Sequence, residues 1–193
     1  MKLSPKLYHW FVRPTWLSNL YINNVIKRNF NIQNKSVLDF GCGIGSSCSM
    51  FSPNNYLGVD LDQNRIKYAR HLYPQYNFHV LKEKDLNILS DVFDYILIVA
   101  VLHHIPSKKL SDVLQEFSRI LKSNGSIIVI EPCFFINSHF NNYFMNFFDN
   151  GKHIKTMEGY FEIFRHHNYQ INKIKKYKKL LFYNEILFSA TLH

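Results

Sequence analysis

Val37-Leu38-Asp39-Phe40-Gly41-Cys42-Gly43-Ile44-Gly45 is the stretch on which the fold turns. An extended apolar run passes straight into a loop with glycine at every second position. Glycine there permits a tight turn and lets a ligand approach the backbone with no Cβ in the way. In open α/β sheets, ligands lie at such carboxyl ends of strands. The loop alone is also compatible with dinucleotide binding, and two details separate the readings. Ser46 stands where the pattern GxGxxG needs its last glycine. Asp39, two residues before Gly41, is awkward beside an anionic pyrophosphate and favourable beside a cation.

Outward from the loop, apolar strand-like runs alternate with amphipathic segments, the pattern of a parallel sheet flanked by helices. Residues 36–40 predict a first strand, with a helix after the glycine loop. Residues 56–59 predict a second strand ending at Asp60, 64–71 a short helix stopped near Pro74, and 77–81 a third strand. The continuous apolar run 95–101 predicts a central strand covered on both faces. Leu110, Val113, Leu114, Phe117, Ile120 and Leu121 form a helical stripe over 108–121, with Asn124-Gly125 as its left-handed stop. Residues 126–130 predict a strand closed by Glu131-Pro132, 157–165 a helix, and 171–177 with 183–191 a closing hairpin. The expected fold is a single α/β domain over 36–193. It is a doubly wound, mostly parallel seven-stranded sheet with a C-terminal antiparallel hairpin and helices on both faces. Residues 1–35, with Tyr8, Trp10, Phe11, Trp16 and Leu17 at helical spacing, predict a helical extension capping the acceptor side.

A chain of 193 residues that is 47% hydrophobic has the size of one domain with a sizeable core. No apolar stretch has the length of a membrane span or a signal-peptide core, so a cytoplasmic protein is expected. Cys42, Cys48 and Cys133 show no CxxC spacing and fit reduced thiols better than disulfides or a metal site. The net charge of +9 accompanies a surplus of Asn, Lys, Ile, Phe and Tyr. Compositional drift toward AT-rich codons explains it better than nucleic-acid binding does, although an anionic partner stays open.

At this point the motifs resemble those of the class I methyltransferases. The string from Val37 to Gly45 resembles their motif I, and Gly58-Val59-Asp60-Leu61-Asp62 their acidic second-strand end. Phe93-Asp94-Tyr95-Ile96-Leu97-Ile98-Val99-Ala100-Val101-Leu102-His103-His104-Ile105 is similar to their fourth-strand signature. Leu114 to Leu121 followed by Lys122-Ser123-Asn124-Gly125-Ser126 resembles the helix and turn before their fifth strand. The resemblance spans about 35–132 and implies S-adenosylmethionine as cofactor, whose ammonium and sulfonium suit Asp39. The implied cofactor residues are Asp39, Gly41, Gly43, Gly45, Asp60, Leu61, Asp85, Leu86 and Ala100. Asp60 would accept hydrogen bonds from the ribose hydroxyls. Asp85-Leu86 would meet the adenine edge, although counting back from Asp94 puts the family's slot nearer Lys82.

The implied activity is in-line methyl transfer to an oxygen or nitrogen of a small molecule; Asn150-Gly151-Lys152-His153-Ile154, Tyr160 and Tyr183-Asn184-Glu185-Ile186 resemble methyltransferases of bacterial biosynthetic clusters, which implies a biosynthetic intermediate as acceptor. The alternatives are an RNA or lipid methyltransferase, or a non-catalytic cofactor-binding partner protein. Amino-group methylation of nucleic acid is disfavoured, because Val101 to Pro106 lacks the Pro-Pro motif of such enzymes. Cys133 has the position of a cytosine-C5 nucleophile, but the companion Pro-Cys is missing.

Several residues keep two readings. Asp62 either joins the ligand shell or caps the helix that follows. His103 or His104, of which only one can face an acceptor, could take a proton during transfer; His103 is the candidate, and a histidine bonded to nearby backbone is the alternative. Ile136, Phe140, Phe144 and Phe147 share a helical face that reads as core packing or as a lid over an apolar substrate. Lys173, Lys175, Lys176, Lys178 and Lys179 read as a solvated strand edge if Ile174 and Tyr177 point inward. Contact with an anionic substrate, lipid headgroup or RNA is the other reading, so membrane-surface contact remains open.

Overall fold

β1 (Val37–Phe40) forms where the sequence places it, and all four of its residues are buried. Burial on both faces explains why the run is apolar throughout apart from Asp39. The computed structural model describes residues 19–81, 90–148, 153–179 and 183–193. It divides into two units, Met1–Ile88 and Leu89–His193, the division falling inside the stretch 36–193. The aromatic residues Tyr8 to Leu17, together with Asp85 and Leu86, lie outside the described residues.

In the first unit, a single π-helical turn (Asn19–Asn23) leads into α1 (Asn24–Asn29). β1 pairs in parallel with β2 (Tyr56–Asp60), and β2 in parallel with β3 (Asn77–Val80). Between β2 and β3 runs α2 (Gln63–Leu72), which Asp62 caps by accepting from the Asn64 and Arg65 amides. Arg70 near its end holds the Phe78 carbonyl of β3 through Nε (3.0 Å) and Nη2 (2.5 Å). The helix expected after the glycine loop is reduced to 3-10 turns at Cys48–Met50 and Pro53–Asn55. The chain has only the ten residues from Ser46 to Asn55 before β2 begins, and seven of them are serines, asparagines and Pro53. These residues favour turns over helix interiors.

In the second unit, β4 (Phe93–Val99) pairs in parallel with β5 (Leu121–Phe134), and β8 (Tyr183–Leu192) runs antiparallel to both β5 and β7 (Tyr169–Lys179). A short β6 (Lys155–Thr156) pairs in parallel with β5 and adds an eighth strand to the seven expected. The helices are α3 (Ser107–Ile120), α4 (His139–Phe148) and α5 (Met157–Arg165). The fold is thus α/β with mainly parallel pairing and a C-terminal antiparallel hairpin. α3 buries Leu110, Leu114, Phe117 and Ile120, the predicted stripe. It stops earlier than expected, because Leu121 is already extended (φ −78°, ψ 138°) and opens β5. Gly125 is therefore no helix cap; a Cβ there would lie 2.2 Å from Leu121 Cδ2, so the bulge between Leu121 and Ser126 needs its absence. Phe188 of β8 meets Phe161 and Phe164 of α5 edge-on at 5.2 Å each, which fixes α5 on the sheet.

Gly58 in β2 has an ordinary φ, yet a Cβ there would sit 2.7 Å from the Phe78 ring and 3.0 Å from Cys42 Sγ. Gly58→Ala should cost about 1–3 kcal/mol by overpacking. In urea unfolding, Gly58→Ala combined with Phe78→Leu should lose less stability than the two single changes summed.

Candidate functional site

In the first unit, the glycine loop is tied to the end of the neighbouring strand. The amides of Gly41 and Cys42 both donate to the Val59 carbonyl, at 2.8 and 3.0 Å. Asp60, buried at the end of β2, then uses both oxygens: Oδ2 accepts from the Gly43 amide (2.9 Å) and Oδ1 from the Asp62 amide (2.8 Å). Two of the glycines serve different ends. Gly45 has φ +79° and a would-be Cβ 2.7 Å from the Phe78 ring, so it is required by packing. Gly43 has φ +57°, and its would-be Cβ meets nothing within 4 Å. The space over Gly43 is open to a ligand. Three residues on, the Ser46 hydroxyl is buried with no hydrogen-bond partner among the described residues, a state that proteins rarely leave unanswered.

Asp39 is 3% exposed and accepts the Tyr56 hydroxyl at 2.7 Å. It caps no helix. Its charge reaches its neighbours: burial first and then Asp39 push the Tyr56 hydroxyl well up, and burial, Asp39 and Asp60 do the same to the Cys42 thiol. The loop therefore has an anionic underside that resists further negative charge and favours a cation. Leu61, the following residue of the second-strand motif, is exposed.

In the second unit, the chain leaves β4 through Ala100, held at φ +56° with its amide on the Ile130 carbonyl (2.8 Å). A left-handed alanine is strained, and such strain gathers at functional turns. Leu102–His104 then make a 3-10 turn. Glu131, wholly buried near the end of β5, organises it. Its Oε1 accepts from the Val101 and Leu102 amides (2.6 and 2.8 Å), and its Oε2 from the His103 amide (3.4 Å). His103 Nδ1 lies 2.6 Å from the same Oε2. His103 is thus buried with its ring bonded to a carboxylate, and the His104 ring lies against it at 4.0 Å. The His103 carbonyl accepts from the His153 amide.

Glu131 was not singled out among the sequence candidates. The signal was an acid inside a strand whose other residues are apolar, where an ionisable group has to be paired. Glu185 in β8 gives the same signal. It is 3% exposed, its Oε1 is 3.7 Å from Lys179 Nζ, and its Oε2 has no hydrogen-bond partner among the described residues. It stands opposite Pro132, one step along β5 from Glu131. Cys133, weighed as a nucleophile, is buried and its thiol is pushed up to about 12 by burial. A thiol so protonated is a poor nucleophile at neutral pH.

Residues 38–129 match the family described as "Methyltransferase domain". The PH0226 protein of Pyrococcus horikoshii OT3 superposes with a TM-score of 0.77 at 16% identity, covering 97% of this chain and 99% of that one. A SAM-dependent methyltransferase from Aquifex aeolicus gives 0.74 at 16% identity, covering 99% and 100%. A tRNA U34 carboxymethyltransferase of Aliarcobacter butzleri is 27% identical over 133 residues, 64% of this chain and 42% of that protein. The chain spans between 37% and 46% of the length of the curated relatives it matches.

Glu131→Ala should cost about 2–4 kcal/mol in chemical denaturation, because it orphans buried amide donors along with His103. Cys42, Cys48 and Cys133 are all buried with raised pKa values. None should react with Ellman's reagent on the native protein at neutral pH, whereas denaturant should release all of them.

Proposed function

We propose that this chain, whose residues 38–129 match the methyltransferase-domain family, transfers a methyl group from S-adenosylmethionine to an oxygen or nitrogen of a small-molecule acceptor. The observation that carries the reading is the Gly43–Asp60 clamp, with open space above Gly43 and a carboxylate beneath. These residues fit the cofactor. The loop offers backbone without a Cβ, Asp39 and Asp60 favour a cationic ligand, and Ser46 holds a buried hydroxyl with no partner among the described residues. When bound, the cofactor supplies a methyl group activated by the sulfonium, so the chain's own work is alignment and exclusion of water.

Asp60 has a double task. Each carboxylate oxygen has two lone pairs; one on each is taken by the amides of Gly43 and Asp62. The remaining pair on each can accept from ribose hydroxyls. Asp85 and Leu86 are proposed for the adenine edge, and Leu61 for the shell beside Asp60. His103, fixed through Nδ1, is assigned a positioning part: with Glu131 it sets the turn after β4, from which an acceptor would be presented. Cytoplasmic location goes with this reading.

A second reading, methylation of RNA, draws on the +9 charge and on the tRNA-modifying relative. A lipid acceptor and a non-catalytic partner protein that only binds the cofactor are the remaining readings.

Calorimetry with S-adenosylmethionine and S-adenosylhomocysteine tests the cofactor. Binding of both is expected, and binding of neither overturns the proposal. Asp60→Ala should weaken both by at least about tenfold, for the lost hydroxyl acceptors and the loosened loop. Release of S-adenosylhomocysteine should follow addition of a metabolite extract rather than of total tRNA; binding with no release under either would favour the partner-protein reading.

A further inference from the structure

α4 is inverted relative to an ordinary surface helix. Its inward residues are Asn141 and Met145, both buried. Its outward residues Phe140, Tyr143 and Phe147, at i, i+3 and i+7, are 65%, 71% and 70% exposed, and Ile136 just before it is 89% exposed. Of the expected stripe Ile136, Phe140, Phe144 and Phe147, three residues are exposed and Phe144 is half-buried, which corrects the core-packing reading and leaves the reading as a lid where it stood. The cause is a polar mooring. Asn141 Nδ2 donates to Asn184 Oδ1 (3.0 Å), and Asn184 Nδ2 donates to Ser138 Oγ (3.1 Å). The Asn184 backbone amide also donates to Met145 Sδ at 3.3 Å. Asn142 exchanges hydrogen bonds with the Phe135 backbone, its Oδ1 accepting at 3.2 Å and its Nδ2 donating at 2.8 Å. Directional bonds set the helix rotation, so the rings cannot turn inward without orphaning buried amides.

The same face carries positive charge. Between Asn172 and Lys175 β7 bulges, which throws Ile174 outward (51% exposed) against the expectation that it points in. Past the bulge, Lys176 stands opposite Ile186 and Lys178 opposite Asn184. Directly opposed residues in an antiparallel pair project to one face, so both exposed lysines share the face on which Asn184 moors α4. Lys176 Nζ lies 5.9 Å over the Phe135 ring, which joins the basic row to the aromatic segment. Neither α4 nor β7 contains an acidic residue. Among the described residues no helix is long and apolar enough to cross a membrane.

We propose that the aromatic face of α4, with Lys176 and Lys178 beside it, docks this chain on an anionic lipid bilayer surface. Interfacial helices sink an aromatic face to the headgroup boundary while cations meet the anionic lipid. Here the cations come from the adjoining strand. Charge complementarity favours this occupant over a second copy of the chain, whose same face would be equally basic.

The full chain is tested by co-sedimentation with vesicles of phosphatidylcholine and phosphatidylserine in equal amounts, and with vesicles of phosphatidylcholine alone. Binding to the first and little to the second is expected, weakening with added salt. Phe140→Ser with Phe147→Ser, and separately Lys176→Glu with Lys178→Glu, should each lower the bound fraction by at least about tenfold. All four positions are exposed, so circular dichroism should show both double variants folded. No binding to anionic vesicles overturns the proposal. So does binding that both variants retain, self-association relieved by the phenylalanine changes without vesicle binding, or lysine-dependent binding to polyuridylate in its place. Cofactor calorimetry is a separate measurement, so failure of the docking surface and failure of the methyl-transfer reading are told apart.

Discussion

The Asp60 carboxylate is the constraint on which the first unit depends. It joins the end of β2 to the glycine loop after β1 and to the start of its own turn into α2. Backbone amides in so tight a loop have few partners, and an unsatisfied buried amide costs as much as several ordinary contacts contribute. One ionised side chain supplies strong acceptors to both segments at once. The loop thereby keeps its left-handed glycines without a following helix of normal length to hold them.

Glu131 repeats the device in the second unit. Each acid stands near the carboxyl end of a strand, and each binds amides of the loop leaving the adjacent parallel strand: Asp60 the loop after β1, Glu131 the turn after β4. Parallel pairing brings the ends of neighbouring strands level, so a side chain at one end reaches the loop of the next. The left-handed Ala100 and the 3-10 turn of His103 persist because that carboxylate over-determines them.

How much of this the sequence disclosed depends on whether the cause was local. The first three strands, the Met157–Arg165 helix and the terminal hairpin follow from periodicity and appear where expected, whereas β5 begins five residues early and β6 was not foreseen. Glycines at 41, 43 and 45 announced a loop, and Asp60 announced a strand-end acid; that the acid braces the loop is a contact across seventeen residues, which periodicity does not carry. Glu131 was visible only as an acid in an apolar strand, and its partners lie twenty-eight to thirty residues back. Ile174 misleads because a bulge changes the strand's phase, and alternation presumes an unbroken ladder. α4 misleads because apolar residues at helical spacing identify a face without saying which way it turns. Buried asparagines decided that.

The asparagine mooring of α4 has a consequence that depends on the surrounding medium. Amide hydrogen bonds are strong where little water competes and weak where water is abundant. Asn141 and Asn184 are already buried, while Asn142 and Ser138 are only partly so. Moving this flank into a less polar medium strengthens the bonds that hold the helix, in contrast to a purely apolar contact, which the same medium would loosen. The element that presents the rings is thus gripped more tightly as the dielectric around it falls.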